Sequence, residues 1–177
     1  MKRILLLIVV CIVLFSVIVV ADDDTQQYYR IHIRANSNDL VDQDIKYLIR
    51  DAIVDYLTPY LAYADTKSKA ESVIGDNLQC IEQIANEVLR EAGYDYVANA
   101  RMCREQFPTR SYGQLTLKSG VYDALVVDLG SAQGDNWWCV IYPPLCFVGE
   151  SNNTNQIRYV SILKQIIEQF IIQHTDN

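Results

Sequence analysis

The period of the hydrophobic pattern changes near Gly93, and that change constrains the fold more than any other feature of the chain. Between Val41 and Ala64, residues Ile45, Leu48, Ile49, Ala52, Ile53, Tyr56, Leu57, Tyr60 and Leu61 recur at three- and four-residue steps. This is the spacing of one face of a helix. A second such stripe runs through Ala70, Val73, Ile74, Leu78, Ile81, Ile84, Ala85, Val88 and Leu89. After Gly93 the period drops to two, with Tyr96, Ala98, Ala100 and Met102 alternating with Val97, Asn99, Arg101 and Cys103. Successive strand residues face opposite ways, so this pattern predicts strands. Leu115 and Leu117 predict a short one. Val121–Leu129 is apolar on both faces, as in a central strand, and Trp137–Tyr142 predicts the next. One strand, Tyr29–Arg34, precedes the helices. The expected fold is α+β: a mainly antiparallel sheet covered by an antiparallel helical pair. An additional C-terminal amphipathic helix is expected through Tyr159, Val160, Leu163, Ile166, Ile167, Phe170 and Ile171. Its few basic residues favour a core or partner helix over a membrane-surface one.

Local chemistry supplies the boundaries. Asn36-Ser37-Asn38-Asp39 offers turn and N-cap side chains ahead of the first helix. Pro59 lacks an amide hydrogen, so that helix is expected to kink or end near Thr58. Ser68-Lys69-Ala70-Glu71 has the form of a capping box, which starts the second helix at Ser68. Gly93 is its expected C-terminal stop, and Gly130–Asn136 reads as a turn.

The N-terminus sets the compartment. Lys2 and Arg3 precede an uncharged run, Ile4–Val20, and Ala21 is followed by three aspartates. This is the layout of a secretory leader over residues 1–21, either cleaved or kept as an anchor, ahead of a single domain over residues 28–174. Both versions keep Lys2 and Arg3 inside and export everything after Asp22. The net charge of −7 becomes more negative without the leader, which contains two cations and no acid. An acidic body without a basic cluster argues against nucleic acid as a partner.

Export changes how the cysteines read. Cys80, Cys103, Cys139 and Cys146 follow the leader, and four cysteines in an exported domain favour disulfides over metal or thiol chemistry. Cys139 and Cys146 flank a segment bent by Pro143 and Pro144, where a turn can bring them together. Such a bridge would stabilise by about 2–3 kcal/mol. Two buried thiols are the alternative, and Cys80 with Cys103 is a second candidate pair, one on a helix and one on a strand.

Catalytic signals are sparse. The histidines are His32, on the first strand, and His174, near the C-terminus. Cys139 beside His32 would form a nucleophilic pair, but nothing in the sequence accompanies it. No zinc spacing, phosphate-binding glycine loop or nucleophile elbow is present, so neither a metal nor a cofactor is expected. The segment that stands out is Asn136-Trp137-Trp138-Cys139-Val140-Ile141-Tyr142-Pro143-Pro144-Leu145-Cys146-Phe147. Adjacent tryptophans on a strand face opposite ways, so one can fill the core while the other faces outward as an interface anchor.

This segment, together with Arg30–Ser37, Arg50–Leu57 and Phe107–Gly113, resembles the stage II sporulation protein R family. The likeness runs from Tyr29 to Val148. Lys118-Ser119, where the family more often has proline and a small residue, is a mild departure, and the tail beyond Glu150 falls in a variable region. The resemblance implies a protein exported into the space between forespore and mother cell. There it triggers a membrane-embedded aspartic protease of the mother cell, which cleaves the precursor of sporulation sigma factor E. It carries over no catalytic residue. Asn136, Trp137, Trp138, Tyr142, Pro143 and Pro144, with Arg110 and Tyr112 from the other specific loop, are the candidate partner-binding residues. The competing expectations are a secreted or membrane-anchored cell-envelope hydrolase, acting through carboxylates or Cys139 and His32, and a purely structural envelope protein.

Overall fold

A computed structural model describes residues 24–113 and 115–147. The predicted leader and the predicted C-terminal helix lie outside the described residues. After a short 3-10 turn, Asp24–Gln26, the chain forms β1 (Tyr29–Arg34), α1 (Leu40–Leu61) and α2 (Lys67–Glu91). The strands β2 (Ala98–Phe107), β3 (Arg110–Tyr112), β4 (Leu115–Leu117), β5 (Gly120–Leu129) and β6 (Asn136–Tyr142) follow, and a 3-10 turn at Leu145–Phe147 comes last.

The sheet is mixed rather than mainly antiparallel. Its order is β2-β5-β1-β6. The β2–β5 and β1–β6 pairings are antiparallel, but β1 lies parallel to β5, with Ile31 opposite Leu125 and Ile33 opposite Val127. The chain leaves β1, crosses through both helices, and re-enters at the far edge as β2. The β5 strand then slots between β2 and β1 running in the direction of β1. Hydrophobic period says which side of a strand is buried and nothing about its neighbours' direction, so the parallel pair was not legible.

One face of the sheet is the main core. Tyr29, Ile31 and Ile33 of β1, Leu125, Val127 and Leu129 of β5, and Cys139 and Ile141 of β6 pack against Ile45, Ile49, Ile53 and Leu57 of α1 and Ile74, Ile81, Ala85 and Leu89 of α2. Each fully buried aliphatic side chain contributes about 1.5–3 kcal/mol. The helix boundaries differ in detail from expectation. α1 runs on through Pro59 to Leu61, with the Thr58 hydroxyl donating to the Val54 carbonyl at 2.7 Å. Pro59 has no amide hydrogen to give the Asp55 carbonyl, so the last turn lacks one helical hydrogen bond, and the helix ends two residues later. The N-cap of α2 is Thr66, not Ser68; its hydroxyl accepts from the Lys69 amide at 3.2 Å, while Glu71 pairs with Lys67 instead. Gly93 ends α2 as expected, with φ of +79° and the amides of Gly93 and Tyr94 returning to Arg90 and Leu89.

Two loops at the end of the sheet lock together and fix where β6 begins. The Asn36 side chain accepts from the Ser131 amide at 2.9 Å and donates to Asp42 at 2.8 Å. Asp42 is buried and also accepts from Ser37 and Tyr96 at 2.6 and 2.7 Å. Burial alone would raise its pKa, but hydrogen bonds from Ser37, Tyr96 and Asn36 outweigh that and hold it below the usual carboxylate value. A Cβ at Gly134 would overlap the Ser37 carbonyl, so only glycine lets the loops approach this closely.

Candidate functional site: the helix-free sheet face and the β6 groove

Strand alternation sends Ile31 and Ile33 to the helices and therefore Arg30, His32 and Arg34 to the opposite face. Their neighbours there are Ala124, Val126 and Asp128 on β5 and Val140, Trp138 and Asn136 on β6. Arg30 is 0% exposed. Its guanidinium carbon lies 4.1 Å from the ring centre of Phe107, 4.7 Å from Tyr122 and 5.9 Å from Tyr112. Its Nη2 donates to the Tyr112 hydroxyl at 2.9 Å, while Nε and Nη1 have no hydrogen-bond partner. The cation is held by ring faces and ties β3 down onto the sheet.

His32 is 2% exposed and lies flat on Trp138, with ring centres 3.6 Å apart and Phe107 edge-on to both rings. Burial pushes its pKa down to about 4, against the opposing pull of Asn136, so the ring is neutral at pH 7. Arg34 binds Glu105 at 3.0 Å and Asp128 at 2.9 Å, and Arg101 also pairs with Asp128. The acids at this end of the face are engaged by arginines.

The same face runs into a groove of about 510 Å³ beside β6, lined by Gln43, Lys46 and Tyr47 of α1, by Pro108 and Arg110, and by Asp135, Asn136 and Trp138. Lys46 is 1% exposed. Its amine donates to Gln43 Oε1 at 2.6 Å and the Asp135 carbonyl at 2.9 Å, both neutral acceptors. Burial lowers its pKa, Asp135 opposes that, and Arg50 adds to it. Arg50 sits 4.9 Å from the ring of Tyr47 and 5.7 Å from that of Trp137.

The structure brings some of the sequence-predicted residues together and separates others. Asn136, Trp138 and Arg110 meet in the groove. Trp137 and Trp138 do lie on opposite faces, but both are half-buried, with Trp137 packed toward the helices. Pro143 and Pro144 are buried, not displayed as part of a contact surface, because the chain folds back there through a cis Tyr142–Pro143 bond into the Leu145–Phe147 turn. Tyr112 and Tyr142 are half-buried; their hydroxyls are taken by Arg30 and by the Asp65 carbonyl. Cys139 and Cys146 form a disulfide, with Cα atoms 6.0 Å apart. Cys80 and Cys103 are free thiols. The sheet lies between them, since Cys80 is on α2 and Cys103 faces away from the helices beside Ala124.

The disulfide also removes the Cys139–His32 nucleophile. Cys139 is bonded to Cys146 and belongs to the helix-side core, whereas His32 belongs to the other face. Burial pushes the Cys103 thiol up. Among the described residues no three His, Cys, Asp or Glu side chains gather as metal ligands. Sequence reasoning missed Gln43, Lys46, Tyr47 and Asp135. The one available signal was Lys46 itself, a cation on the buried side of the first helical stripe.

These features define an α+β domain whose sheet carries helices on one side and, on the other, a buried arginine, a neutral histidine and packed rings leading to a groove lined by Lys46, Arg110 and Asp135. The chain belongs to the stage II sporulation protein R family, whose profile matches residues 25–152. It is 37% identical over 123 residues to stage II sporulation protein R of Bacillus subtilis (strain 168). That alignment covers 70% of this chain and 55% of the relative, so the chain spans about half the length of the curated protein it matches. No solved structure matches it.

Proposed function

We propose that the protein is an exported sporulation signal that activates a membrane-embedded aspartic protease of the mother cell, leading to cleavage of the sigma factor E precursor. The leader carries the domain across the forespore membrane, and the domain then acts as a ligand in the space between the two membranes. The observation that carries this reading is the family match over residues 25–152, which spans both helices and every described strand. The helix-free face and the β6 groove supply the contact surface. Trp138 gives it a large, rigid ring, and Arg110 and Asn136 give it exposed polar reach. The test is co-expression of the exported chain with the protease and the sigma factor precursor. Cleavage should appear with the exported chain and not with a version lacking residues 1–21. Equal processing without the chain, or with the leaderless version, would overturn the reading.

A further inference from the structure

The two edges of the four-stranded sheet are finished differently. On β2, Asn86 of α2 closes the outer side of Ala98, accepting its amide at 2.8 Å and donating to its carbonyl at 3.1 Å, and Glu82 accepts from the Ala100 amide at 2.9 Å. On β6, the Val140 amide donates to Cys146 Sγ at 3.0 Å, so the disulfide closes that end of the edge. Outward backbone groups recur every second residue in an antiparallel ladder. The same outward orientation therefore falls at Trp138 and Asn136. Among the described residues no strand pairs with β6 other than β1.

An open edge is a template for another strand, and proteins usually blunt it with lysine, proline or a bulge. Asn136-Trp137-Trp138 carries neither lysine nor proline. This half-edge is also part of the lining of the 510 Å³ groove, whose walls bring Lys46 and Arg110 together, with Arg50 next to Tyr47. Lys46 and Arg110 share this wall with one acid, Asp135, while Arg50 is engaged by Asp51 at 2.6 Å, so the lining carries more cations than acids in a chain of net charge −7. The Lys46 amine is buried and hydrogen-bonds two neutral oxygens; among the described residues it forms no ion pair, and the Asp135 carboxylate acts on it only from beyond hydrogen-bond reach.

Building on the reading of β6 as the partner-facing stretch, we propose that this groove takes an extended, acidic segment of the partner protein. The segment adds as a further strand along Asn136–Trp138 and sets a carboxylate against Lys46 and Arg110. Main-chain bonds to the edge supply affinity. Alternate side chains, some toward Trp138 and Arg110 and some toward Lys46 and Tyr47, supply selectivity.

The experiment uses the full chain and a fluorescent ten-residue peptide of alternating glutamate and valine. One twin has all its backbone amides N-methylated, and a second has lysine in place of glutamate. The acidic peptide should bind saturably and slow hydrogen exchange at the Asn136 and Trp138 amides. Both twins should bind at least about tenfold more weakly, and Lys46→Gln should weaken the acidic peptide about tenfold while Lys46→Arg retains it. The absence of saturable binding, equal binding of the N-methylated twin, or edge amides already protected in the free chain would each overturn the proposal. If the peptide fails to bind while Arg110→Ala still abolishes protease activation, strand addition is wrong and the broader surface reading stands. If the peptide binds but excess peptide leaves activation unchanged, the groove does not serve this partner and the proposal falls.

Discussion

At the residue scale, the notable choice is polar side chains placed where a strand would ordinarily bury apolar ones. Arg30, His32 and Arg34 occupy the face of β1 away from the helices, and each is stabilised differently: by rings, by stacking, and by acids. The folded pKa of His32, about 4, lies below its ordinary value of 6.5. The unfolded chain therefore takes up a proton first as pH falls. This contribution is complete above pH 6.5 and is lost as pH drops from 6.5 toward 4. Urea titrations across that window should show stability falling with pH, and His32→Gln should flatten that slope. An unchanged slope would mean that the ring is solvated. Asp42 acts at lower pH, since its folded pKa is depressed and its contribution is lost only as pH falls below the ordinary carboxylate value. Asp42→Ala strands the Tyr96, Ser37 and Asn36 donors, and thermal or chemical denaturation should show a loss of about 3 kcal/mol.

At the element scale, β6 depends on what brackets it. Its start is fixed by the interlocked Asn36 and Gly134 loops, and its end by the disulfide and the turn that follows. Cys139→Ser with Cys146→Ser should lower stability by about 2–3 kcal/mol through the lost loop constraint. It should also free the Val140 amide to exchange faster, which hydrogen exchange can read residue by residue. Gly134→Ala should push the two loops apart and destabilise the start of β6, whereas an alanine at Gly93, in open space, meets only the strain of a positive φ. Comparing the two variants separates close approach from backbone conformation as the reason for a glycine.

For the whole molecule, the division of labour is between a helix-covered core and a helix-free face that ends in the groove. Arg110 is exposed, so Arg110→Ala should leave stability within about 0.5 kcal/mol while lowering protease activation in the reconstituted system. Trp138→Ala should lower both, because the ring that would meet the partner also packs on His32 and Phe107. If Arg110→Ala signals normally and Trp138→Ala fails only in proportion to its lost stability, the contact surface lies away from the groove.

The hydrophobic pattern by itself determined the α+β class, both helices, the central β5 strand and the opposite facing of Trp137 and Trp138. Periodicity is local: it reports which side of each element meets apolar surroundings, whatever those surroundings turn out to be. The expectation of export and a proline bend likewise made the Cys139–Cys146 bridge legible, because the two cysteines lie only seven residues apart. Only the tertiary structure decided that β1 runs parallel to β5, and that Lys46 bonds a carbonyl 89 residues away beside Arg110 and Trp138. The entropy of closing such long loops changes only slowly with their length. Alternative strand orders therefore differ little in chain entropy, and the choice between them falls to packing across the sheet, where Arg30 needs its three rings and Lys46 its two neutral oxygens.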